Sequence, residues 1–212
     1  MLKKIKDPVS CLTHLLGLLA AVCCTIILVV MAAPHGARYV VSFSVFGLSL
    51  ILLYTASSLY HMLRLSEEKT LMLRRIDHTM IFYLIAGSYT PVCLIPLRGT
   101  WGWAILGTVW ALALGGTIMK IFWFKAPRIV STVIYVIMGW IVVVAFYPLS
   151  RAVSLDSFTL LLTGGLCYTT GAVIYALKRP RLNIPGVGFH EIFHIFVLAG
   201  SALHVAFMFS LL

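Results

Sequence analysis

CLTHLLGLLAAVCCTIILVVMAA, residues Cys11–Ala33, runs without a single charge. A helix that crosses about 30 Å of hydrocarbon needs about 20 mostly apolar residues, so this stretch reads as a membrane span. Working outward, further stretches read the same way at approximately 38–63, 76–97, 101–122, 129–149, 157–177 and 189–211. Asp77, Lys120 and Glu191 are the charges inside them, each near an end.

The composition agrees. The 212 residues are 61% hydrophobic and 10% charged, with mean hydropathy +1.04, whereas a soluble domain carries about 25% charged residues. The apolar runs are continuous rather than alternating, which favours helices that satisfy their own backbone hydrogen bonds over a barrel. The expected fold is an all-α integral membrane protein: a seven-transmembrane helix bundle occupying residues 1–212 as one domain, with short connections and no extramembrane module.

Lys3, Lys4 and Lys6 precede the first apolar run, which ends near Ala32, Ala33 and Pro34. That resembles a secretory signal, but signal cores are only about 7–15 residues long, so an uncleaved span is expected. Cys11, Cys23, Cys24, Cys93 and Cys167 show no CxxC spacing and suggest no redox role.

The net charge of +10 does not point to nucleic acid, because the basic residues are scattered among short loops. They report orientation instead. With the N-terminus cytoplasmic, Lys3, Lys4, Lys6, Arg64, Lys69, Arg74, Arg75, Lys120, Lys125, Arg128, Lys178, Arg179 and Arg181 fall inside, and Arg38, Arg98 and Arg151 fall outside. Cytoplasmic loops attract this excess. A missed or invented span would invert every later loop and mix the two groups, so the C-terminus is expected outside.

Ionisable groups at membrane depth are costly and mark functional sites. His190 and His194 stand at i and i+4 on one face of the last span, a spacing that suits two ligands of one metal. The span directions bring His61, at the end of span two, and Asp77, at the start of span three, to the same cytoplasmic depth. Three imidazoles that leave a fourth position for water form a catalytic zinc arrangement, which makes zinc the expected metal. Asp77 is then the base that orients the water, or a group hydrogen-bonded behind the ligands. Ser57, one turn before His61, is placed to donate to an oxyanion. His204 is about 15 Å beyond His194 along the helix and cannot share that metal. His14 and His78 are candidates for supporting positions, and His35 lies in an outer loop.

His190-Glu191-Ile192-Phe193-His194 also reads as H-E-x-x-H, the signature of metalloproteases in which the glutamate is the base. No acid follows Glu191 to supply a third ligand, and no further span follows the motif to complete such a site.

Ser57-x-x-x-His61, Asp77 and His190-x-x-x-His194, together with Arg75-Ile76-Asp77-His78 and the run Gly87-Ser88-Tyr89-Thr90-Pro91, resemble the hemolysin III family along essentially the whole chain. That family belongs with the progestin and adiponectin (adipoQ) receptors, and more distantly with the alkaline ceramidases. The resemblance implies a seven-helix bundle, zinc held by three histidines near the cytoplasmic leaflet, and an aspartate reaching the zinc-side water; relatives suggest lipid amide hydrolysis. The expected protein is a zinc-dependent, hydrolase-like component of the bacterial cytoplasmic membrane, involved in lipid homeostasis, whose lipid substrate or ligand enters laterally. The alternatives are a non-enzymatic lipid sensor with structural zinc, a cytolysin and an intramembrane protease.

Overall fold

The computed structural model describes residues 5–123, 127–182, 184 and 186–212. Lys3, Lys4 and Lys125, which contribute to the charge asymmetry, lie outside the described residues. The long elements are α1 (Pro8–Ala32), α2 (Ala37–Met62), α3 (Glu67–Leu94) and α4 (Thr100–Phe122). They are followed by α5 (Arg128–Trp140), α6 (Phe146–Ala152), α7 (Leu155–Leu177) and α8 (Phe189–Phe209). A 3-10 turn, Ile141–Ala145, joins α5 to α6 in one rod. Among the described residues no strand forms beyond an isolated bridge between Ile184 and Val187.

Among the described residues six helices are long and apolar enough to cross a membrane: α1, α2, α4, the α5–α6 rod, α7 and α8. The expected third span, α3, begins earlier than its apolar stretch, at Glu67, and contains Arg74, Arg75, Asp77 and His78. It has the length, about 42 Å of helix, but not the uniform hydropathy.

Consecutive helices pack as neighbours from α1 to α4, α5 packs on α7, and α8 closes the bundle by packing on both α7 and α1. Phe43, Phe46, Tyr54, Phe82 and Phe207 fill the interior. Leu12, Leu16, Leu19, Ile26 and Val30 of α1 are exposed, as residues facing lipid would be. In hydrocarbon, close backbone approach replaces the hydrophobic drive. Accordingly Phe82 lies over Gly116, and His204 over Gly164, where any Cβ would collide with the ring.

Every backbone polar group at this depth needs a protein partner. The α5–α6 rod contains a break where its hydrogen bonds are interrupted, and α3 repairs it: the Tyr89 hydroxyl donates to Gly139 O (2.8 Å) and accepts from Val142 N (2.8 Å). Tyr89→Phe removes both bonds at a buried position. It is expected to cost about 1–3 kcal/mol, seen as a lower melting temperature in detergent, with the exposed Tyr147→Phe as the control.

Candidate metal centre

Asp7 precedes Pro8, which sits at the first turn of α1 where a missing N–H costs nothing. An aspartate at that position would ordinarily cap its own helix, yet the Asp7 side chain makes no such bond. Its carboxylate instead accepts a hydrogen bond from His61 Nδ1 at 2.9 Å. The segment before α1 is strapped onto the end of α2 by Asp7 N donating to His61 O (2.9 Å), Lys6 Nζ donating to Tyr60 O (2.8 Å) and Arg64 donating to Ile5 O (3.0 Å). This strap holds the carboxylate against the imidazole.

With Nδ1–H committed to Asp7, the lone pair of His61 is on Nε2, and that atom lies 3.1 Å from His190 Nε2. His194 completes the group: one nitrogen from each of the three rings lies within 4.8 Å of the others. His61 and His194 are buried and His190 is half-buried. Two imidazole lone pairs this close repel unless a proton or a cation lies between them. Nitrogens bound at about 2.05 Å to a tetrahedral zinc are about 3.3 Å apart, so the His61–His190 separation of 3.1 Å is compatible with two ligands of one ion. The residues present therefore fit a metal ion, with neutral nitrogen donors that suit zinc among others.

Around the triad, Thr13 Oγ1 lies 3.4 Å from His194 Nδ1. His14 stacks face to face on His194, with ring centroids 3.5 Å apart, and both of its nitrogens are buried without a hydrogen-bond partner. A cavity of about 780 Å³ adjoins the centre; its wall includes His190, His194, His14, Asp77 and Ser57. Asp77 and Ser57 are thus brought to the same chamber as the histidines but stand outside the ligand cluster itself. Ser57 Oγ approaches the Asp77 carboxyl group without forming a hydrogen bond of ordinary geometry.

The remaining candidates separate. His204 is within 3.3 Å of Leu161 O at the far end of the cavity, and His78 pairs with Tyr175 (3.4 Å). Glu191, the base of the protease reading, is occupied elsewhere: it accepts from Ser10 Oγ at 2.6 Å and from Gly188 N at 2.8 Å, locking the start of α8 to α1.

A model of the family described as Haemolysin-III related matches residues 2–205, a range that contains every residue of this centre. The chain belongs to that family. It is 40% identical over 200 residues to a Hemolysin-3 homolog of Bacillus subtilis, covering 93% of this chain and 91% of the relative. Hemolysin-3 of Bacillus cereus is also 40% identical, over 205 residues, covering 96% and 90%. The human Monocyte to macrophage differentiation factor is 28% identical over 171 residues, covering 76% of this chain and 66% of its own length. This chain is accordingly a haemolysin III family membrane protein with a histidine triad that could hold a metal.

Asp7 was not singled out by the sequence reading. Its signal is an acid at a helix start in an otherwise lysine-rich segment, with no other acid before Glu67. Carboxylates behind metal-bound histidines fix the tautomer and raise ligand basicity. Asp7→Asn is expected to weaken zinc binding about 10–100-fold in chelator competition, while Asp156→Asn leaves it unchanged. Equal affinities would reduce Asp7 to an anchor for the strap.

Proposed function

We propose that this protein is a seven-span, zinc-dependent lipid hydrolase that cleaves an acyl amide or a related bond in a lipid entering laterally from the bacterial cytoplasmic membrane. The observation that carries the reading is a metal-competent triad bordering a largely apolar cavity whose wall also presents an acid and a hydroxyl. His61, His190 and His194 would hold the metal. When bound, zinc supplies Lewis-acid activation, polarising a carbonyl and lowering the pKa of water towards about 7.

Asp77 orients the attacking water and accepts its proton, then delivers a proton to the departing amine nitrogen. A C–O bond replaces the C–N bond, yielding acid and amine. Ser57 donates its O–H to the carbonyl oxygen as negative charge develops there. The half-buried site excludes bulk water, which strengthens both interactions.

Seven spans with a cytoplasmic N-terminus and an external C-terminus belong to the same reading. They are supported by the lysine and arginine asymmetry and by the length of α3. A cysteine replacing Glu67 in a cysteine-free background is expected to be labelled only from the inside, and one replacing Ser154 only from the outside. The reverse pattern would overturn the orientation.

A second reading, a non-enzymatic lipid sensor with structural metal, draws on the fact that the triad joins α2 to α8, which also meet at the Tyr54–Ser201 hydrogen bond of 2.7 Å. Metal analysis and assays with labelled ceramides and other acyl amides separate the two. The intact protein is expected to carry about one zinc per chain and to turn over substrate. His61→Ala and His190→Ala should lose the metal. Asp77→Asn should keep the metal and lose at least about 100-fold in rate. Full metal content in both histidine variants would remove the site, and metal loss with no turnover by the intact protein would leave the sensor. Red-cell lysis that survives Asp77→Asn would replace hydrolysis by the activity that the name of the Bacillus cereus relative denotes.

A further inference from the structure

The cavity has a second chemical character beside its histidines. Near the histidine end its wall carries Arg74 and Arg75 of α3, Lys120 of α4, Arg128 of α5 and Lys178 just beyond α7. Lys120 is the informative one, because it is only 7% exposed and its ammonium donates to Ser131 Oγ at 2.6 Å. An ammonium has three donors, so one neutral serine leaves most of its capacity unused. Among the described residues no contact ion pair joins Arg74, Lys120, Arg128 or Lys178 to a carboxylate. Arg74 and Lys120 lie within electrostatic reach of each other, and Arg74 also within reach of the Asp77 carboxyl group.

The positive-inside rule accounts for cations at the membrane surface, but it does not account for one drawn into a cavity wall. A buried charge is retained where it is paired, and among the described residues Lys120 has no carboxylate partner, whereas Arg128 is held by Tyr175 O (3.2 Å) and lies over the Tyr175 and Phe189 rings. The cavity wall follows α3 for about 22 Å of helix from Arg74 to Tyr89, and beyond the cations, Asp77 and His78 it turns apolar at Ile81, Leu84 and Ile85.

We infer that the cavity binds an amphiphile with a phosphate-bearing anionic headgroup, held by Lys120, Arg74 and Arg128, with its acyl chain along α3. Several donors of both lysine and arginine type suit the tetrahedrally spread oxygens of a phosphate ester better than the planar pair of a single carboxylate. As an account of which lipid is hydrolysed, the inference rests on the hydrolase reading; as an account of what binds, it does not.

Native mass spectrometry of the protein in an uncharged detergent tests it with phosphatidylglycerol, ceramide and free fatty acid of matched chain length, and with inorganic phosphate. Phosphatidylglycerol is expected to bind about tenfold more tightly than ceramide or fatty acid. Lys120→Gln should remove most of that margin and Lys120→Arg should keep it. Arg128→Gln, at a half-buried position, should lower the margin independently and serves if Lys120→Gln fails to fold. Equal binding of the neutral and phosphorylated lipids, or an unchanged margin in both glutamine variants, would overturn the proposal. Fatty acid binding as tightly as phosphatidylglycerol would overturn the phosphate assignment, and inorganic phosphate doing so would overturn the amphiphile. The preference should persist in His190→Ala, which lacks a ligand of the metal. Selective binding without turnover of any lipid would defeat the hydrolase reading alone, whereas turnover without selectivity would defeat this one alone.

Discussion

Two imidazole nitrogens 3.1 Å apart join residues 129 positions apart in the chain, at the end of α2 and the start of α8. Neither helix can move along its axis by one turn, about 5.4 Å, without separating them. The surrounding construction holds that register. The strap before α1 fastens onto the end of α2, Glu191 ties the start of α8 to Ser10 of α1, and His14 of α1 stacks on His194. Helix α1 is therefore a splint between the two helices that carry the histidine triad, and its outward face is left to lipid. Close helix contacts over glycine, as at Gly17 against Tyr54 and Leu198, allow the splint to lie near enough.

The same low-dielectric surroundings explain the polar side chains that take no part in the chemistry. Unsatisfied groups there cost more than in water, and the structure answers with local repairs. Tyr89 closes the break in the α5–α6 rod. Threonines and serines such as Thr79, Ser88 and Thr90 bond back to carbonyls of their own helix. Against that pattern His14, with two unpartnered nitrogens, and Lys120, with one serine, stand out. Both border the cavity, where a ligand or water can satisfy them.

What the sequence made legible follows from periodicity and from cost. Uninterrupted apolar runs announced most of the helices to within a few residues but missed the charged start of α3 at Glu67, and the i, i+4 pair His190 and His194 announced two members of the histidine cluster. His61 joined them because helix direction sets depth. Asp7 was hidden because its partner is 54 residues away and is reached only through the strap, a tertiary contact with no periodic trace. Lys120 was counted as a topological charge because sequence gives depth but not which way a side chain turns. Glu191 was ambiguous for a related reason: the H-E-x-x-H spacing is set by the helix, while the use of its carboxylate is set by Ser10 on another one.

The helix that fails the hydropathy test is the one with most to do inside the bundle. Along α3, Arg74, Asp77, Ile81, Leu84 and Ser88 recur at helical spacing and all border the cavity, so one continuous face is turned from lipid towards a chamber. A helix enclosed by neighbours on both sides, here α2 and α4, is free to carry charge on its inward face, since ionisable residues at depth are tolerated where they line a cavity. Low average hydropathy in α3 is then a consequence of its place in the bundle. The property that makes the segment look least like a membrane helix is the one that gives the cavity both its acid and part of its positive charge.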